Sequence, residues 1–128
     1  MEQEKDKDVQ KALSKLISDE WFAGNTYKMF ITAMTDDGRR ALKDLMLDVA
    51  DDEIDDHLAN LVKFAIENGY DIPVSYNEMK KLADKEDIKL FESCKKGEDS
   101  LWYLGKGVEA EERAIKEYEK YIDNEKVN

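Results

Sequence analysis

The single histidine of the chain, His57, stands four residues after Glu53 in the stretch Ala50-Asp51-Asp52-Glu53-Ile54-Asp55-Asp56-His57. A helix turns about 100° per residue, so Glu53 and His57 project within about 40° of each other, one turn apart. A carboxylate and an imidazole at that spacing can share a metal ion. Asp56 lies about 60° to the other side of Glu53 and nearer the polar edge, so periodicity prefers His57 as the inward partner. Two more glutamates occupy comparable places. Glu20 is central to the stripe Leu13, Leu16, Ile17, Ala23, Gly24, Tyr27, Ile31 and Met34, and Glu111 to the stripe Leu101, Leu104, Val108, Ile115, Tyr118 and Ile122. Asp19 points about 100° away from Glu20 and is assigned to solvent.

Burying ionised carboxylates close together costs several kcal/mol each unless cations compensate, and no Lys or Arg falls on these stripes beside the glutamates. A metal ion is the compact remedy. Carboxylates with one imidazole suit iron, manganese or zinc, and the lack of a thiolate cluster argues against a structural zinc or iron–sulfur site. Taken alone, His57 reads as a hydrogen-bonded core histidine, Asp51-Asp52 and Asp55-Asp56 as a solvated acidic face, and Cys94 as a small buried hydrophobe. Three inward glutamates together shift the balance toward a metal site formed by Glu20, Glu53, His57 or Asp56, and Glu111.

The elements that must position these residues are helical. One proline, six glycines and 40% charged residues in 128, with apolar positions at helical intervals, predict an all-α chain of one domain. Residues 1–8 are expected to fray. A first helix runs to about Met34, and the turn Thr35-Asp36-Asp37-Gly38 leads into a second from about Arg39 to Asn68. In that helix Leu42, Met46, Ala50, Leu61 and Phe64 define the inward stripe, flanked by Leu45, Val49, Ile54 and Ala65. It stops at Asn68-Gly69, a left-handed cap, with Pro73 beyond. From Asp71 to Gly97 the pattern weakens and reads as a connection carrying two short helices, one opened by the capping box Ser75-Tyr76-Asn77-Glu78. A last helix runs from about Ser100 to Asp123, where Gly105 and Gly107 each cost up to about 1 kcal/mol and imply irregularity or close packing.

Composition narrows the partners. Asp and Glu outnumber Lys and Arg 31 to 20, for a net charge of −11, which repels nucleic-acid phosphates and anionic membranes and attracts metal cations. No direct nucleic-acid or membrane contact is expected. One cysteine excludes an intrachain disulfide framework and fits a reducing cytoplasm. An apolar stripe that three long helices leave uncovered calls for a homo-oligomer or docking to another protein subunit.

Three motifs in order resemble the ferritin-like four-helix bundles, in particular the bacterioferritin-like, Dps-like and rubrerythrin-type branch. Asp19-Glu20-Trp21-Phe22-Ala23-Gly24-Asn25-Thr26-Tyr27 is similar to its first helix, Glu53 through His57 to its Glu-x-x-His segment with one extra residue, and Glu111-Glu112-Arg113-Ala114-Ile115-Lys116-Glu117-Tyr118 to its Glu-x-x-Ala-Ile-x-x-Tyr. The resemblance implies an up-down bundle with a long crossover, here residues 71–97, between the second and third core helices. It also implies a carboxylate-bridged di-iron centre that oxidises Fe(II) with oxygen or peroxide. In that scheme Glu20 binds one metal, Glu53 bridges, His57 or Asp56 completes the first shell, and Glu111 bridges or binds the second. The family's fourth helix has no counterpart before Asn128, and the polar ending Asp123-Asn124-Glu125-Lys126-Val127-Asn128 reads as a loop leading onward, so a longer parent chain or a neighbouring subunit is expected to supply it. The alternative from another class is a structural or interaction module with a ferritin-like fold and an empty or degenerate site.

Overall fold

Helix α1, Lys7–Ala33, is the axis on which the other elements pack. The structure is a computed structural model that describes residues 6–33, 40–94, 97–98 and 100–127, and every regular element among them is helical. After α1 come α2 (Arg40–Asp51), a π-helical stretch (Asp52–Leu58), α3 (Ala59–Asn68), α4 (Tyr76–Leu82), α5 (Lys85–Glu92) and α6 (Ser100–Val127). The all-α expectation holds. Met34 and the turn at 35–38 lie outside the described residues, as do the side chains of Leu42, Glu53, Tyr118 and Ile122. Of the stretch 1–8, residues 1–5 lie outside the described residues; Asp6 accepts hydrogen bonds from the Asp8 and Val9 amides, and α1 begins at Lys7.

The clusters around α1 give the directions of its neighbours. Tyr27 and Phe30, near its C-terminal end, pack with Met46, Ala50 and Tyr103, whereas Leu13 and Ile17, near its start, pack with Ala65. The α2–π–α3 rod therefore runs antiparallel to α1. Tyr103 meets Phe30, with ring centroids 5.1 Å apart, and Glu111 meets Tyr27, so α6 also runs antiparallel to α1 and hence parallel to the rod. Two parallel neighbours oblige the chain to return along α1 between them. That return is anchored at both ends: the Gln10 amide exchanges hydrogen bonds with the Asp71 backbone (2.9 and 2.8 Å), and the Gly97 amide donates to the Ala33 carbonyl (3.0 Å). At 1.5 Å per residue those anchors are about 35 Å apart along α1.

Residues 71–97 do more than connect. Met79, Ala83 and Ile88 are buried with Phe22, and Trp21 and Phe91 close over them. Because α1 has packed neighbours on several sides, Phe22, Thr26 and Phe30 are buried as well as Leu13, Ile17, Gly24 and Tyr27 of the expected stripe, whose Leu16, Ala23 and Ile31 are half-buried. The hydroxyls of buried Ser18 and Thr26 donate to the carbonyls four residues back, which satisfies them without a tertiary partner. Ser75 caps α4 by accepting from the Glu78 amide, as the capping box predicts, and Gly69, at φ 74°, ends α3 in the left-handed conformation.

Two inward stripes need correcting. Phe64 is exposed and Ala65 is fully buried in its place. In a continuous α-helix Ala65 would stand about 100° round from Met46. The π stretch, with its i→i+5 bonding, turns only roughly 80–85° per residue, and over its seven residues that lag cancels the difference. Ala65 is thereby rotated onto α1 and Phe64 away from it. On α6, Leu101, Leu104, Val108 and Ile115 are exposed, while Tyr103 and Gly107 are buried. Gly107 faces the Tyr27 ring so closely that α6 approaches α1 along that edge, and the leucine and valine edge is left outward.

Candidate metal centre

Glu20 comes from the middle of α1, where its carboxyl is almost fully buried. Its Oε2 lies 3.5 Å from Nδ1 of His57, which projects from the π stretch. His57 is itself 54% exposed, a consequence of the π lag, which swings position 57 outward from where an α-helix would put it. Positions 53 and 57 still share a side, since four π steps return to within roughly 20–40° of the start, whereas position 56 falls well off it. Asp56 is exposed, and the imidazole is the group that faces Glu20. The side chain of Glu53 lies outside the described residues.

Glu111 reaches the same region from α6. Tyr27 Oη donates to its Oε1 at 2.9 Å and lies 3.2 Å from the Gly107 carbonyl. Burial, reinforced by the Glu111 charge and hydrogen bond, holds the Tyr27 phenol well above its usual range, so it remains a donor. Glu20 and Glu111 line one cavity of about 40 Å³, together with Asp19, Asp84, Asp87 and Arg113. That volume admits a water or a single ion and little else.

The rim of the cavity departs from expectation twice. Asp19 is not left to solvent: its carboxylate accepts from Lys15 (2.7 Å) and from the Asp84 backbone amide (2.7 Å), tying α1 to the start of α5. Burial raises its pKa, and those hydrogen bonds pull the other way. A cation also does stand beside the glutamates. Arg113, two residues past Glu111, lines their cavity, although Nη2 is held by Asp87 Oδ1 at 2.9 Å and Nε is buried without an acceptor among the described residues. Burial lifts the Asp87 carboxyl to about 6 against the pull of the guanidinium. Sequence periodicity missed this pair because Asp87 belongs to the weakly patterned return segment.

Carboxylates around a water-sized cavity, with an imidazole facing one of them from outside its lining, belong to the donor chemistry that iron, manganese or zinc accepts. The described residues hold no group of three or more His, Cys, Asp or Glu side chains disposed to bind a metal ion; what they bring together is Glu20 with His57, and Glu20 with Glu111 across one cavity. Among the described residues no helix is long and apolar enough to cross a membrane. Compared with family models, with curated proteins and with solved structures, the chain matches none of them.

Proposed function

We propose that the chain is a ferritin-like di-iron carboxylate protein that takes Fe(II) as substrate and oxidises it with oxygen or peroxide. The observation that carries the reading is that Glu20, buried on α1, faces His57 of the π stretch at 3.5 Å and shares one cavity with Glu111 of α6. The antiparallel course of α1 against two mutually parallel neighbours, with a return segment of the length a crossover needs, supports the ferritin-like reading independently. Glu20, Glu53, His57 and Glu111 would hold the metal, and iron there supplies one-electron chemistry toward oxygen or peroxide. Glu20 and Glu111 present charge inside a cavity whose small volume excludes bulk water. Tyr27 holds Glu111 in place through its hydroxyl. The net charge of −11 concentrates cations near the surface.

Anaerobic titration with Fe(II), followed by admission of air, tests this. Stoichiometric binding and a ferric absorbance that grows with air are expected, both lost in Glu20→Gln and in Glu111→Gln. An absence of binding, or binding that survives both substitutions, overturns the proposal. The reading as an interaction module with an empty site is favoured by a different observation, the exposed apolar edge of α6. On that reading Glu20→Gln leaves stability unchanged or raises it, because a buried charge is removed.

A further inference from the structure

One furrow of this acidic chain is lined mainly by cations. Asp87 on α5 meets Arg113 on α6, and Leu90, a turn further along α5, packs on the same core cluster as Trp102 near the start of α6, so the two helices run in opposite senses. Between them opens a cavity of about 350 Å³ lined by Lys89, Lys106 and Arg113. Leu90 and the Trp102 ring form its apolar wall, and Glu86 and Glu109 are its carboxylates. Three cations against two anions invert the balance of the whole chain, in which acidic residues outnumber basic ones 31 to 20.

The cations differ in how far they are already engaged. Arg113 is held by Asp87 at 2.9 Å. Lys106 Nζ stands 5.5 Å from the centre of the Trp102 ring and 3.9 Å from Glu109, a long and well-exposed ion pair that binds it weakly. The Lys89 ammonium has neither an ion pair nor a hydrogen bond among the described residues. Two ammonium groups, each a compact charge with three donors, are thus left to meet an anion, and a phosphate group is their usual partner. A phosphomonoester brings a charge of about −1.5 to −2 and three acceptor oxygens, enough for both lysines, whereas a single carboxylate brings less charge and fewer acceptors. The volume is that of a small-molecule site, and the net charge of −11 repels a polyanion such as a nucleic acid, so the ligand is small. The Trp102 face and Leu90 offer a wall for an apolar or planar group beside the phosphate.

We propose that the furrow between α5 and α6 binds a small phosphomonoester, its phosphate held by Lys89 and Lys106 and its organic part lying against Trp102 and Leu90. Arg113 lines this furrow and the carboxylate cavity alike, so the anion adds a second negative neighbour to the guanidinium that Asp87 holds. None of the candidate metal ligands takes part, and the site holds whether or not the carboxylates bind a metal.

Titration of the full chain with phenyl phosphate, followed in proton–nitrogen correlation spectra without added metal, tests the proposal. The two indole N–H signals separate the furrow from the rest of the molecule, because Trp102 lines it and Trp21 does not. A saturable shift at Trp102 with Trp21 unmoved is expected, with a Kd of about 1 mM or tighter. Inorganic phosphate, which lacks the ring, and benzoate, which lacks the phosphate, are expected to bind about tenfold more weakly. Lys89→Gln and Lys106→Gln are each expected to weaken phenyl phosphate by about fivefold or more, with unchanged far-UV circular dichroism, and Lys63→Gln, exposed on α3, to leave it unchanged. No saturable shift up to about 20 mM overturns the proposal. So does benzoate or inorganic phosphate binding as tightly as phenyl phosphate, or a response that Lys63→Gln weakens as much as Lys89→Gln and Lys106→Gln do.

Discussion

Gly105 and Gly107 are two residues apart in one helix, and alanine is expected to act in opposite directions at them. In a helix interior alanine is favoured over glycine by about 1 kcal/mol. A Cβ at Gly105 meets nothing within 4 Å, so Gly105→Ala is expected to realise that gain. At Gly107 the same Cβ would lie 3.1 Å from Tyr27 Cε1 and 3.3 Å from its Oη. The ring cannot yield cheaply. It is buried, packs edge-on to Phe30 with centroids 6.1 Å apart, and donates to Glu111 at 2.9 Å. Overpacking costs about 1–3 kcal/mol and a weakened hydrogen bond to a carboxylate about 1 kcal/mol more, so the helical gain is outweighed. Gly107→Ala is thus expected to destabilise by about 1–3 kcal/mol, leaving roughly 2–4 kcal/mol between the two variants. Urea unfolding followed by far-UV circular dichroism at one fixed protein concentration resolves this as opposite shifts of midpoint at constant slope. In a Tyr27→Leu background the clash disappears, and Gly107→Ala should then stabilise as Gly105→Ala does. If Gly107→Ala stabilises in the wild-type background, α6 does not approach α1 at Tyr27 and the packing argument fails.

Arg113→Met should destabilise by about 1–3 kcal/mol at pH 8, because the Asp87 carboxylate keeps its burial and loses its donor. The native Asp87 holds its proton up to about 6, above its ordinary 3.8, so its contribution is present at lower pH and is lost as pH rises through that window. Near pH 5 Asp87 is largely protonated, and the loss in Arg113→Met should be smaller there; equal losses at both pH values in urea unfolding would refute the assignment. Asp19→Ala removes the acceptor of the Asp84 amide and should cost about 1–2 kcal/mol, with faster hydrogen exchange at Asp84 as its local sign.

Much of the fold was readable from periodicity because its long helices are amphipathic. Glu20 was recognisable as buried because Leu13, Ile17 and Tyr27 flank it at helical spacing, and the cap at Gly69 and the capping box at Ser75 announced themselves by residue type. What escaped had physical causes. Periodicity cannot count neighbours, so the burial of Phe22 and Phe30 on further sides of α1 was hidden, as was the latch of Asp19 on Asp84, whose two residues are 65 positions apart. Arg113 was passed over because its partner lies on α5, a helix too short to carry a stripe. The inward places of Phe64 and of the α6 leucines assumed one uninterrupted period and one packed face. The first failed at the π stretch and the second at Gly107, where the helix turns its small residues, not its large ones, toward α1.

The π stretch also bears on how the chain can change length. Loops ordinarily absorb a gained or lost residue, since inside a helix every residue beyond the change is rotated by about 100°. Over Asp52–Leu58 the accumulated lag amounts to about one residue, so the rod behaves as an α-helix that has taken in a single extra position. Removing one residue between Glu53 and His57 would let the stretch close into ordinary α turns while Met46, Ala50 and Ala65 all kept facing α1. It would also shorten the Glu53–His57 interval to three. The same removal within α3 would turn Ala65 away from Leu13 and Ile17. A seven-residue segment is therefore where this helix can shed a residue without losing its packing, and it is the segment that carries His57.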